Sequence, residues 1–119
     1  MTRAQTPSAQ LDPAEVHALQ TSASAAARLM KMLASEQRLM LLCRLGAGEA
    51  SAGELAEYAG LAQSAASQHL AKLRDAGVVA TRRDAQTIYY RLADEGALRV
   101  IGLLCDIYGG RQTDGAKLG

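Results

Sequence analysis

The sequence predicts a small, mainly helical domain with one β-hairpin inserted before its last helix, in the order α-α-α-α-β-β-α. Three observations carry that prediction. Apolar residues recur at helical spacing over much of residues 13–76 and again over 97–108. Capping patterns and glycines punctuate those stretches. β-Favouring residues gather only once, as two adjacent runs between Val78 and Leu92.

The 119 residues suit one domain. At 49% hydrophobic, the chain has enough apolar surface to fold. Four Tyr, no Phe and no Trp mean that its core must be built from aliphatic side chains and Met. No apolar run approaches the roughly 20 residues that cross a bilayer, so no membrane association is expected. The polar N-terminus has no apolar h-region and does not read as a secretory signal. Two cysteines, 62 positions apart, make no disulfide framework, and a reducing cytoplasm is the expected compartment.

Residues 1–11 read as a flexible arm, 12–108 as the folded domain and 109–119 as a flexible tail. Asp12 can cap a helix with Pro13 at its first position and Glu15 in its first turn, and one helix is expected from 13 to about 34. Ser35 starts a second, with Leu39, Leu42 and Cys43 sharing a face, ending near Gly46-Ala47-Gly48. Ser51-Ala52-Gly53-Glu54 is a capping box that opens a short helix stopping at Gly60. Gln63 to Ala76 forms the next, closed by Gly77 in a left-handed cap. Val78–Arg83 and Thr87–Leu92, separated by Asp84-Ala85-Gln86, read as a hairpin. Asp94 caps the last helix, whose Ala97, Ile101, Leu104, Cys105 and Tyr108 form one stripe.

Two consecutive helices in a tight turn, followed by a basic hairpin, make a winged helix-turn-helix. Leu55, Ala56, Leu61, Ala66, Leu70 and Leu73 can face inward. Gln63, Ser64, Ser67 and Gln68 then fall on the opposite face, which is uncharged and rich in short hydrogen-bonding groups, as base-edge readout in a major groove requires. Lys72, Arg74, Arg82 and Arg83 are placed to neutralise phosphates. His69 sits beside the polar face, where contact with DNA and packing against the neighbouring helix are equally open. Between Ala62 and Leu92, Lys72, Arg74, Arg82, Arg83 and Arg91 face only Asp75 and Asp84, a local +3 in a chain of net +1. One basic third in a near-neutral chain fits a local polyanion footprint.

An enzyme finds no support. There is no Gly-rich cofactor loop and no Ser/His/Asp set, and the two His, His17 and His69, show no nucleophile spacing with either Cys. No cofactor is expected. A winged helix used for protein contact fits poorly too, because its core is expected to carry aromatic anchors.

Ser64-Ala65-Ala66-Ser67-Gln68-His69-Leu70-Ala71-Lys72-Leu73-Arg74, then Ala76-Gly77-Val78-Val79 and Thr81 to Tyr90, resembles the ArsR/SmtB family of bacterial transcriptional repressors. The similarity runs from about Leu29 to Tyr108 and is nearest the NolR-type regulators in the hairpin and in Asp106-Ile107-Tyr108-Gly109. The resemblance implies a homodimer joined by its first and last helices, bound as a repressor to double-stranded DNA at a palindromic operator. The apolar stripes over Val16–Leu33 and Ala97–Tyr108 suit that interface.

Sensing is where the sequence departs from its family. Metal sensors carry Cys-x-Cys early in the first helix of the recognition unit, but here Leu55 to Ala59 hold no thiol or imidazole. Nor does the last helix hold the His of the other common metal site, so no metal ligands are assigned. Ala62 stands where the family often has a capping Ser, leaving the recognition helix uncapped unless Ser64 or a shifted start replaces it. Cys43 and Cys105 lie on the helices where the BigR/SqrR persulfide-sensing branch carries its reactive pair, which implies a redox switch with a reactive sulfur species as inducer. In that branch the last-helix Cys aligns with Gly109, one turn beyond Cys105. Arg44 can lower the Cys43 pKa if that thiol is exposed. Three alternatives stay open: inert buried thiols, a soft metalloid such as arsenite held by the same cysteines, or a NolR-like regulator with no sensory site.

Overall fold

The computed structural model describes residues 10–109 and comprises six helices and three short strands among them. Residues 1–9 of the expected arm and residues 110–119 of the expected tail lie outside the described residues. The chain divides into two compact units, one ending at Lys31 and the other beginning at Met32.

α1 (Pro13–Thr21) starts as its sequence dictates, with Asp12 accepting a hydrogen bond from the Ala14 N–H. The single helix expected over 13–34 is instead two, because α2 begins at Ala23 and runs to Leu33. The cause is local: the Thr21 hydroxyl donates to the Ala18 carbonyl at 2.8 Å, and Ser22 leaves helical geometry with φ −109° and ψ 17°. No residue of α1 is buried.

α3 (Glu36–Gly46) is capped by Ser35, whose Oγ accepts from the Arg38 N–H. Its buried face is Leu41, Leu42 and Leu45, so of the expected face only Leu42 enters the core, while Leu39 is half-buried and Cys43 exposed. β1 (Ala50–Ser51) is an element the sequence did not announce. Ser51 also caps α4 (Ala52–Ala59) in a complete capping box with Glu54. α5 spans Gln63–Asp75, β2 Val79–Asp84, β3 Thr87–Leu92 and α6 Glu95–Tyr108.

The sheet order is β1-β3-β2, antiparallel throughout, with Ala50 opposite Tyr90 and Val79 opposite Leu92. Asp84 pairs with Thr87, so the hairpin loop is Ala85-Gln86 and shorter by one residue than expected. Ala85 takes up a left-handed φ of 58° to close it. Leu41, Leu42, Leu55, Leu70 and Leu73 are fully buried, and this all-leucine centre is what a chain without Phe or Trp requires. Each such side chain contributes about 1.5–3 kcal/mol by leaving water. At the base of the hairpin, Ala93 and Asp94 both donate to the Val78 carbonyl, tying the start of α6 to the sheet.

Candidate nucleic-acid interface and thiol cleft

The turn between α4 and α5 is built by one glycine. Gly60 adopts φ 67°, and the Leu61 N–H returns to the Ala56 carbonyl at 2.9 Å, closing α4 as a Schellman motif. α5 begins two residues later with Ala62 as its N-cap and no side chain capping it, so neither Ser64 nor a shifted start makes good the missing hydroxyl. At its other end Gly77, at φ 77°, repeats the device: Val78 N–H bonds Leu73 O while both side chains are buried.

Between those caps α5 buries Ala66, Leu70 and Leu73, each with no exposed surface. The helical repeat then forces Gln63, Ser64, Ser67 and Gln68 outward, and all four are exposed. Lys72 and Arg74 are exposed in the last turn, where cations also suit the helix dipole. His69 is half-buried at the edge of this face, with its Nδ1 buried and unpartnered. A groove of about 380 Å³ separates the start of α5 from the hairpin, lined by Gln63 and Ser67 on one side and Thr87, Ile88 and Tyr90 on the other.

Strand alternation sends the two hairpin arginines to opposite faces of the sheet. Arg83 lies opposite Ile88, on the face that carries Tyr90 and the groove, and is exposed. Arg82 lies opposite Tyr89 on the outer face. Its Nε and Nη2 donate to Glu49 Oε2 and Oε1 at 2.9 and 2.8 Å, and its guanidinium stacks 4.6 Å from the centre of the Tyr89 ring. Asp84 adds a longer ion pair at 3.9 Å. The forked hydrogen bond holds the Glu49 carboxyl below the usual carboxylate range and the Arg82 guanidinium above its own. Glu49 and Tyr89 are the residues that sequence reading missed. Tyr89 was visible only as part of a β-run, and nothing in Gly48-Glu49 marks a partner 33 positions away.

The cysteines meet. Cys43 of α3 and Cys105 of α6 line the same cleft and interact across it despite the one-turn offset from the family pattern. Both are exposed on an apolar cleft of about 290 Å³ lined by Leu39, Leu104 and Tyr108. The expected acidifying effect of Arg44 does not occur: its guanidinium turns to the Gly48 carbonyl at 3.2 Å. Partial burial, then the charge and hydrogen bond of Cys105, push the Cys43 thiol above its ordinary pKa. Among the described residues no three His, Cys, Asp or Glu side chains come together as metal ligands. Nor is any helix among them long and apolar enough to cross a membrane.

A polar helix face exposed beside a charged hairpin, on two helices locked by a glycine turn, defines a winged helix-turn-helix DNA-binding domain. Residues 35–81 match the model for the bacterial regulatory protein, arsR family. Nodulation protein NolR of Rhizobium meliloti is 46% identical over 97 residues, which covers 82% of this chain and 77% of NolR. The chain belongs to the arsR family of bacterial regulatory proteins. The crystal structure of the transcriptional repressor BigR from Xylella fastidiosa superposes with a TM-score of 0.74 at 39% identity, covering 77% of this chain and 94% of that one. The homodimeric winged helix-turn-helix DNA-binding domain of Mb0332 from Mycobacterium bovis gives 0.64 at 28% identity, covering 89% and 94%. The family's members are DNA-binding transcriptional regulators rather than enzymes, and the Mb0332 domain among these relatives is homodimeric.

Proposed function

We propose that the chain is a homodimeric repressor that reads a palindromic operator through α5 and releases it when Cys43 and Cys105 are oxidised. The observation that carries the DNA reading is the exposed, uncharged face of α5, backed by fully buried leucines and flanked by Lys72, Arg74 and Arg83, which have no carboxylate partner among the described residues. Gln63, Ser64, Ser67 and Gln68 are the base readers, since amides and hydroxyls present donor and acceptor together. Lys72, Arg74 and Arg83 meet phosphates. His69, with one ring nitrogen buried, braces the helix from its edge.

Dimerisation draws support from α6, which is apolar on two faces. Ala97 and Ile101 enter the core, while Leu98, Leu103 and Ile107 stay about half exposed. Val16, Leu19 and Met30 are exposed on the first two helices. Exposed apolar rows of this kind suit a subunit interface.

The switch draws support from the facing thiols. A persulfide R–SSH supplies the oxidising equivalents. One thiolate attacks its outer sulfur and displaces R–S⁻, which takes up a proton. The second thiol then attacks the modified cysteine's own sulfur and displaces hydrosulfide. Two thiols and R–SSH thus give one disulfide, R–SH and H₂S. The bond joins α3 to α6, and it acts on DNA through the difference it makes between two dimer arrangements.

Fluorescence anisotropy with DNA from upstream of the chain's own gene tests both parts. Reduced protein is expected to bind with steep salt dependence. Treatment with a persulfide donor weakens binding, a thiol reductant restores it, and Cys43→Ser does not respond. Equal affinity in both redox states makes the cysteines structural, and salt-independent binding removes the DNA assignment.

A further inference from the structure

We propose that Arg82 is a positioning residue rather than a phosphate ligand: with Glu49 and Tyr89 it straps the hairpin to the body of the domain across the outer face of the sheet. The inference rests on the DNA reading above. Its geometry comes from the strand order. Glu49 immediately precedes β1 at one edge, Arg82 sits on β2 at the other, and Tyr89 of β3 lies between them under the guanidinium. One side chain therefore spans all three strands.

Two features make the strap consequential. β1 contributes only two paired residues, Ala50 and Ser51, so the edge of the hairpin nearest α4 has little backbone to hold it. Arg82, although half exposed, already has partners: Glu49 on its Nε and Nη2 edge, the Tyr89 ring on one face and, at 3.9 Å, Asp84 near Nη1. Meeting a phosphate means giving up a planar two-point pairing that a point charge cannot reproduce. Arg83, on the groove side and without an ion-pair partner among the described residues, is the hairpin arginine left to serve DNA.

Charge and geometry can be separated experimentally. Operator affinity of the full chain is measured by anisotropy across a series of KCl concentrations, for wild type, Arg82→Lys, Arg82→Ala and Glu49→Ala. A strap predicts that all three variants lose affinity, on the order of fivefold, with the salt slope unchanged. Glu49→Ala weakens binding even though it removes a negative charge. A phosphate ligand predicts the reverse: Arg82→Lys stays near wild type, Arg82→Ala lowers the slope by about one contact, and Glu49→Ala strengthens binding. Amide exchange over residues 79–92, without DNA, is the independent readout. The strap predicts faster exchange in Glu49→Ala and Arg82→Lys, and unchanged exchange overturns it whatever the DNA result. Failure of the wild type to bind DNA with salt dependence refutes the DNA reading instead, and the exchange measurement still decides whether the strap exists.

Discussion

On α5 the side chains offered to solvent are amides and hydroxyls, backed by leucines with no exposure at all. Between α3 and α6 lies an apolar cleft in which Leu39, Leu104 and Tyr108 surround two exposed thiols. The first surface is set by a rigid core, because Leu70 and Leu73 fix the rotation of α5 and so aim Gln63, Ser64, Ser67 and Gln68. The second is set by the spacing between two helices. A surface of the first kind holds a geometry that must not change. One of the second kind can be altered by a single covalent bond.

The largest effect expected is on the core behind the reader. Leu70→Ala removes a fully buried side chain and should lower stability by about 2–5 kcal/mol, seen in urea unfolding. A loss below about 1 kcal/mol means that this face is not rigidly backed. Next comes readout. Gln68→Ala should cost about 1–3 kcal/mol on operator and little on random DNA. Arg83→Ala should instead weaken both alike and lower the salt slope by about one. Equal loss on both DNAs for Gln68→Ala removes it from the base readers.

Smaller still is the missing cap. Ala62→Ser should stabilise the fold by about 1 kcal/mol in thermal melts, because Ala62 is the N-cap of α5 and offers no acceptor. The mildest test sharpens the other surface. Cys43's pKa is raised on folding, so the stability this gives is complete below the unfolded thiol value and is lost as pH rises through the folded one. Alkylation of Cys43 should accordingly keep accelerating with pH beyond the ordinary thiol range, and Cys105→Ser should move that profile toward lower pH. A profile centred on or below the ordinary value contradicts the partial desolvation of this thiol beside Cys105.

The helices and their ends were legible because their signals are local. Ser51 and Glu54, Gly60, Gly77 and Asp94 each act within a few residues of themselves and do in the fold what their spacing announced. Of the expected inward set, Leu55, Ala56, Ala66, Leu70 and Leu73 are buried, only Leu61 stays half-exposed, and the polar face of α5 came with them. What stayed hidden depends on tertiary contact or on one hydroxyl. β1 is a strand only because Ala50 and Ser51 meet β3. The break at Ser22 turns on where the Thr21 hydroxyl points. Neither the pairing of Arg82 with Glu49 nor the meeting of Cys43 and Cys105 leaves a trace in spacing, since each joins elements that only folding brings together.

The tip of the hairpin has a history to offer as well as a geometry. Ala85 holds a left-handed conformation that glycine or asparagine adopts more readily, at a cost on the order of 1 kcal/mol. Ala85 and Gln86 are both exposed, so no core contact depends on what the two-residue turn contains. Insertions at such a tip are cheap in loop entropy. Descendants of this sequence are therefore free to lengthen or replace the Ala85-Gln86 turn while the leucine core stays untouched.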